Sequence, residues 1–96
     1  MPLIFEWDTK KAATNLRKHR VSFDEAASVF HDPLGMIFVD EDHSAEEARE
    51  IIIGRSIAMR LVVVCFTERE TGAIRIFSAR PATRSERKNH EEHNRN

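Results

Sequence analysis

Five arginines fall close together in the second half of the chain, and of all its residues they are best suited to chemistry. They are Arg69, Arg75, Arg80, Arg84 and Arg87. Arginine carries a planar fork of donors that matches phosphate oxygens, and it stays protonated. Such a set can bind a nucleic-acid backbone or stabilise the charge of a phosphoryl transition state. Ion pairs inside the protein, for example between Arg75 and Glu68, are the structural alternative.

The other residues that could do chemistry are in sequence settings typical of structural or solvent-exposed positions. Cys65 lies amid valines and a phenylalanine, a setting typical of packing. His90 and His93 are three residues apart, whereas the helix of zinc proteases spaces its histidines by four. The acidic loop 40–43 is typical of a solvated turn. The sequence therefore predicts no metal site and no cofactor.

Composition restricts the class of protein. Ninety-six residues, 41% of them hydrophobic, suffice for one domain that spans 1–96. The longest apolar run without a charge, Leu61 to Thr67, is far shorter than the roughly 20 residues of a membrane helix. The N-terminus shows no secretory signal, and a single cysteine allows no internal disulfide. We expect a cytoplasmic protein without membrane contact.

The net charge of −1 hides an uneven distribution. Residues 1–20 contain five basic and two acidic side chains, and residues 51–90 contain eight basic and three acidic ones. Residues 31–50 contain one basic and seven acidic side chains. This pattern is compatible with a basic face on one small body.

Capping residues predict three helices. Asp8 can cap a helix from about Thr9 to Lys18, and Ser22 with Glu25 forms a capping box for a helix that ends near Phe30. Thr83 with Glu86 opens a C-terminal helix or tail over 84–96. That segment contains no apolar residue, so we expect it to fray unless a partner holds it.

Between these helices the apolar pattern predicts strands at 3–7, 35–39, 49–56, 60–68 and 74–80. Short gaps separate the last three, which favours an antiparallel meander. The predicted fold class is α+β: an antiparallel β-sheet with two N-terminal helices packed on one face and a polar C-terminal helix.

The turn between the last two strands predicts their register. If Arg69 faces Ile74, Thr67 faces Ile76 and Cys65 faces Ser78. The core face then consists of Ile51, Ile53, Val62, Val64, Phe66, Phe77 and Ala79. The second face consists of Cys65, Thr67, Arg69, Ser78 and Arg80, an unusually polar and basic set.

A series of motifs in order resembles the BrnT family. The first half contributes Phe5-Glu6-Trp7-Asp8, Lys11-Ala12, Asn15, Lys18-His19, Val21 to Ala26, and Val29 to Pro33. The second half contributes His43-Ser44, Glu47, Arg49, Gly54, Thr67-Glu68-Arg69, Ile74-Arg75-Ile76, Ser78-Ala79-Arg80, Ala82-Thr83 and Glu86-Arg87. The likeness spans about residues 5–90. Arg20 replaces a glycine that is usual in the family, and His90 replaces a common tyrosine.

The resemblance implies a toxin of a bacterial type II toxin–antitoxin system with a RelE-like ribonuclease fold. It implies inhibition of translation by RNA cleavage, and neutralisation by a BrnA-like ribbon-helix-helix antitoxin. DNA would be bound only through the complex with that antitoxin.

For such a ribonuclease we expect metal-independent attack of the ribose 2′-hydroxyl on the adjacent phosphate. Arg69 and Arg80, with Arg49 as a second choice, are the expected cations. The candidates for acid and base are Glu47, His43, Lys18 and His19, and the sequence does not choose among them. The expected RNA-binding residues are Arg80, Arg84, Arg87 and Lys88. The alternative function is a non-catalytic protein-binding module with a basic sheet face.

Overall fold

A computed structural model describes residues 2–43, except for the side chain of His43, and residues 47–94. The helices are α1 (Thr9–His19), α2 (Phe23–Ser28) and α3 (Arg84–His93). The strands are β1 (Phe5–Glu6), β2 (Met36–Val39), β3 (Glu50–Arg55), β4 (Leu61–Glu68) and β5 (Ile74–Pro81). Short 3-10 turns follow α2 and β2, at Val29–His31 and Glu41–His43. Within the described ranges, each helix is too short and too polar to cross a membrane.

The five strands form a mixed sheet in the order β1-β5-β4-β3-β2. Neighbours among β2 to β5 are antiparallel, but β1 runs parallel to β5, with Phe5 opposite Ile74. The expectation of a purely antiparallel sheet is therefore wrong. Short turns predict only the antiparallel neighbours, whereas β1 reaches β5 through a pairing of residues about 70 positions apart.

The hydrophobic core lies between α2 and one face of the sheet. Phe23 and Ala26 of α2 are buried against Val62, Val64 and Ile76. Trp7 closes this layer with its ring centroid 5.8 Å from that of Phe23, in an edge-on arrangement. Full burial of each large apolar side chain contributes about 1.5–3 kcal/mol, so this layer fixes the position of α2.

A β-bulge changes the predicted register of β4 and β5. Cys65 faces Ser78, as predicted, but the pairing shifts between Cys65 and Phe66, so that Thr67 faces Arg75 instead of Ile76. Phe77 is the extra residue, and it lies beside Ser78 on the second face. Its predicted place in the core is wrong, because a bulge breaks the alternation on which that prediction depends.

Strand β3 also faces the core with residues other than those predicted. Ile52 is buried opposite Val64, whereas Ile51 pairs with Cys65 on the second face. The prediction that Ile51 and Ile53 belong to the core is wrong. Three consecutive isoleucines carry no alternation, so the sequence left the face of this strand undetermined.

Helix α1 is attached to β5 through a buried amide. The Asn15 side chain donates to the Ala79 carbonyl at 2.8 Å and accepts from the Ala79 N–H at 3.1 Å. It also donates to the Val21 carbonyl at 2.9 Å. Asn15 thus bonds the backbone of β5 beyond the end of the short β1, as a neighbouring strand would.

Two of the three predicted helix caps are present in full, and the third is present in part. Asp8 caps α1 as predicted, and Thr83 with Glu86 forms a complete capping box. Ser22 accepts from the Glu25 N–H, but the Glu25 carboxylate instead binds the Arg60 guanidinium at 2.7 Å. Only half of that predicted box is therefore present.

Helix α3 is ordered from Arg84 to His93 although it has no apolar side chain. The His90 ring is only 7% exposed and adjoins Met36, Phe38 and Ile53 on the second face of the sheet. The expectation that this segment lacks packing is wrong, because a histidine ring buries area that a hydropathy count does not credit. Residues 95 and 96 lie outside the described part.

Arg20 ends α1 in the left-handed conformation, with φ of 59°. Such a backbone costs a non-glycine residue about 1–2 kcal/mol, which explains why glycine is usual at this place in the family that the chain resembles. We expect Arg20→Gly to raise the free energy of unfolding by up to about 1 kcal/mol, measured by urea denaturation. Arg17→Gly, inside the same helix, should instead lower it by about 1 kcal/mol. A loss of stability in both variants would contradict this account.

Candidate active site

The second face of the sheet contains a cavity of about 390 Å³, here called the central cavity. Among the residues that the structure describes, the cations that line it are Lys11, Arg49 and Arg80. The other residues that line it are Asp40, Asp42, Ile51, Val63, Cys65, Phe77 and Ser78. Residues from α1, β3, β4 and β5 therefore converge on one concave place that combines three cations with two carboxylates.

The Phe77 ring organises two of these cations. The Arg49 guanidinium carbon lies 3.9 Å from the ring centroid, and the Lys11 ammonium lies 5.7 Å from it. An aromatic face attracts a cation at these distances. The β-bulge that turns Phe77 away from the core therefore also positions Arg49 and Lys11 at the central cavity.

Arg80 is held in place by α3. Its two terminal nitrogens donate to the two carboxylate oxygens of Glu86 at 2.7 and 2.9 Å. The same carboxylate accepts the backbone N–H of Thr83 at 2.8 Å. This fork lowers the pKa of Glu86 to about 2 and raises that of Arg80. The guanidinium at the central cavity is consequently charged and fixed in direction.

The low pKa of Glu86 makes a pH-dependent prediction. A carboxylate with a lowered pKa stabilises the folded state above its ordinary pKa near 4.5, and this stabilisation is lost as the pH falls toward 2. We expect Glu86→Gln to unfold more easily at pH 7 by about 1–2 kcal/mol, allowing for partial exposure of the pair. Thermal unfolding at pH 7 and at pH 2 measures this. A difference from wild type that persists at pH 2 would contradict it.

Cys65 lies at the base of the central cavity. Its thiol donates to Asp40 at 3.4 Å, and its burial, together with that contact, raises its pKa to about 11. The thiol is therefore protonated at neutral pH, when a nucleophile would have to be a thiolate. Packing, the role expected from the sequence, agrees with this environment.

A second concave region of about 330 Å³, here called the α1 groove, adjoins the central cavity. It shares Lys11, Phe77 and Ser78 with that cavity. Its remaining residues are Lys10, Thr14, Asn15, Lys18 and His19, all on α1. Two of the predicted acid and base candidates, Lys18 and His19, thus lie beside the central cavity and do not line it.

Two other predicted catalytic residues lie at the C-terminal end of β4. Arg69 and Glu47 line a separate depression of about 490 Å³ with Thr67 and Glu70. The Glu47 carboxylate is 3.8 Å from the Arg49 guanidinium, which connects it to the central cavity. The side chain of His43 lies outside the described residues.

Glu6 forms ion pairs with two of the five clustered arginines. Its carboxylate is 3.0 Å from Arg75 and 3.8 Å from Arg69. The ion pair of Arg75 is therefore with Glu6, and the predicted alternative partner, Glu68, is wrong. Local spacing suggests Glu68, whereas the parallel pairing of β1 brings Glu6 opposite Arg75.

The predicted RNA-binding residues of α3, Arg84, Arg87 and Lys88, are exposed to solvent. Sequence reasoning missed Lys11 and Phe77 as site residues. Lys11 was part of the family motif, which could have indicated it. No local pattern marks Phe77, because the bulge that turns it is decided by packing. Among residues 2–43 and 47–94, no three histidine, cysteine, aspartate or glutamate side chains are grouped as metal ligands would be.

Comparison with known proteins identifies the family. Residues 7–86 match the family described as ribonuclease toxin, BrnT, of type II toxin–antitoxin systems. The crystal structure of the Brucella abortus ribonuclease toxin BrnT is similar to this chain, with a TM-score of 0.66 and 22% identity, over 86% of this chain and 100% of that one. No curated protein sequence shows a significant match. With most of its length matched, and with a related fold, this chain belongs to the BrnT family of ribonuclease toxins of type II toxin–antitoxin systems.

Proposed function

We propose that the central cavity cleaves RNA without a metal ion and that this cleavage inhibits translation. The observation that supports the proposal is the convergence of Lys11, Arg49 and Arg80 on one cavity. Three convergent cations, of which Arg49 is held by Phe77 and Arg80 by Glu86, would supply the charge stabilisation that a divalent metal can give to a phosphoryl transition state.

In the proposed reaction the ribose 2′-hydroxyl attacks the adjacent phosphorus. A base removes the hydroxyl proton, the bond to the 5′-oxygen breaks, and an acid protonates the departing oxygen. The products are a 2′,3′-cyclic phosphate and a 5′-hydroxyl end. Arg49 and Arg80 would bind the phosphate oxygens as negative charge develops on them.

Among the predicted acid and base candidates, we assign proton transfer to Glu47. Its carboxylate lies 3.8 Å from Arg49 and is 44% exposed, so it is accessible to a substrate bound at that guanidinium. General acid–base catalysis typically contributes about 10²–10⁴-fold in rate, so Glu47→Gln should slow cleavage of an end-labelled RNA by about that factor.

We further propose that Arg84, Arg87 and Lys88 contact the RNA beyond the cavity, since α3 begins beside Arg80 and exposes all three. A type II toxin has an antitoxin partner, and we propose a BrnA-like ribbon-helix-helix protein for this one. DNA binding would then belong to the complex.

A second candidate function is a non-catalytic protein-binding module. Strand β2 favours it, because this edge strand exposes Ile37, Phe38 and Val39 by 55%, 46% and 68%. Apolar edge strands are common docking places for an extended segment of a partner. Partner binding at β2 is by itself compatible with catalysis at the central cavity, so the RNA assay decides whether catalysis is present.

The test is incubation of the purified protein with an end-labelled RNA in the presence of a chelator. We expect cleavage at an undiminished rate and products that end in a 2′,3′-cyclic phosphate. An RNA with a single 2′-deoxy nucleotide before the cleaved bond should resist cleavage at that bond. Activity only after addition of a divalent metal would overturn metal independence, and intact RNA under every condition would favour the protein-binding module.

A further inference from the structure

We infer that the α1 groove is a binding subsite for the phosphates of the RNA that flank the cleaved bond. The inference rests on the proposed function, since it extends the same substrate beyond the central cavity. It gives Lys10, Lys18 and His19 a role in holding RNA, distinct from proton transfer.

The charge of the groove supports an anionic ligand. Lys10, Lys11, Lys18 and His19 line it, and no acidic residue of the described part of the chain does so. Each of Arg60, Arg69, Arg75 and Arg80 is paired with a carboxylate. No such pair occurs within the described residues for the lysines of the groove. Their positive charge is therefore available to a ligand.

The stability of α1 does not explain why lysines occupy its first turn. Lys10 and Lys11 stand in the first turn of α1, where the helix dipole disfavours positive charge, and that turn contains no acidic residue. Asp8 is committed to the backbone N–H groups of Lys10 and Lys11 as the cap. A helix that only needed stability would place these cations at its other end.

The shape of the groove fits a single strand. Lys11 and Lys18 are seven residues apart on one face of α1, which is about 10 Å along the helix axis. That length equals roughly three stacked nucleotides, at about 3.4 Å for each. Because Lys11, Phe77 and Ser78 line both the groove and the central cavity, one strand can occupy both without a break.

The groove is also rigid at its centre. The two hydrogen bonds between Asn15 and Ala79 fix α1 to β5 midway between Lys11 and Lys18. Side chains on a fixed helix lose less conformational entropy when they bind than those on a mobile tail. An acidic segment of the antitoxin is the competing occupant, and continuity with the central cavity favours RNA.

The experiment measures binding, so that it does not depend on catalysis. Single-stranded RNA with a 2′-O-methyl group on every nucleotide serves as the probe, in lengths of two and eight nucleotides. Fluorescence anisotropy gives the affinity of the wild-type protein and of the double variant Lys10→Ala/Lys18→Ala at several salt concentrations. Arg55→Ala is the matched control, because it removes an exposed cation that lines neither the groove nor the central cavity.

We expect the double variant to bind the eight-nucleotide probe several-fold more weakly. The slope of log affinity against log salt should decrease by about 1.4, since each phosphate contact to a single strand contributes about 0.7. Arg55→Ala should leave the slope unchanged, and the two-nucleotide probe should bind all proteins alike.

An unchanged slope in the double variant would overturn the subsite. So would an equal loss of affinity with both probes. Cleavage of unmodified RNA is assayed separately, with substitutions of Arg49 and Arg80. The two assays therefore distinguish a wrong assignment of the groove as an RNA subsite from a wrong assignment of the central cavity as the active site.

Discussion

Replacement of both Arg49 and Arg80 by alanine should reduce RNA cleavage about 10³-fold or more and abolish growth arrest on expression. Loss of one fixed donor to a developing oxyanion typically lowers the rate 10²–10³-fold, and this variant lacks two. Both side chains line the central cavity, and Arg80 is oriented by its fork with Glu86. Rates measured on an end-labelled RNA under single-turnover conditions give the effect directly.

Two further variants distinguish the effect of the Arg80 charge on cleavage from its effect on the stability of the fold. Arg80→Ala removes the partner of Glu86, so we expect it to lower the free energy of unfolding by about 1–2 kcal/mol. Arg80→Lys keeps the positive charge without the two-pronged geometry, and it should retain more activity than alanine does. Arg55→Ala removes an exposed cation that lines neither the central cavity nor the α1 groove, so it should cleave like wild type. Normal cleavage by a folded Arg49→Ala/Arg80→Ala protein would show that the central cavity is not the active site.

Asn15→Ala should lower the free energy of unfolding by about 3–5 kcal/mol. The Asn15 amide makes three hydrogen bonds to the backbone of Val21 and Ala79, and its side chain is buried. Each buried backbone group left without a partner costs about 1–3 kcal/mol. A domain of this size has only about 5–15 kcal/mol of stability, so a large part of it depends on one amide.

Urea denaturation of Asn15→Ala beside Thr14→Ala tests this expectation. Thr14 is the exposed neighbour, and its substitution should change stability by no more than about 0.5 kcal/mol. Asn15→Asp keeps one acceptor but loses both donors, so it should also be destabilised. Equal stabilities of Asn15→Ala and Thr14→Ala would mean that α1 is held to β5 by other contacts.

Much of the secondary structure follows from short-range chemistry that the sequence displays. Asp8 and Thr83 lie at the starts of their helices because their side chains can accept backbone N–H groups a few residues ahead. The β4–β5 hairpin follows from two apolar runs with a short gap, and the pairing of Cys65 with Ser78 is confirmed. The motifs along the chain were also sufficient to indicate the family that the comparisons show.

The composition of the candidate site was predicted only in part. The second face was expected to be polar and basic, and the structure brings Arg80, Cys65 and Ser78 together there. Arg49 joins them, whereas Arg69 lies in another depression near Glu6. Lys18 and His19 occupy the adjoining groove. The sequence therefore indicated which types of residue form the site, but not which of them lie together in the central cavity.

The sequence by itself determined what depends on neighbours along the chain: the helix caps, the hairpin, the basic character of one sheet face and the family. Tertiary structure alone decided the parallel pairing of β1, the bulge that turns Phe77 toward Arg49, and the attachment of Asn15 to a residue 64 positions away. The physical reason is that a period of two shows which residues share a face of a strand but not which face is buried. That choice is made by the packing of distant elements, whose contacts leave no local pattern in the chain.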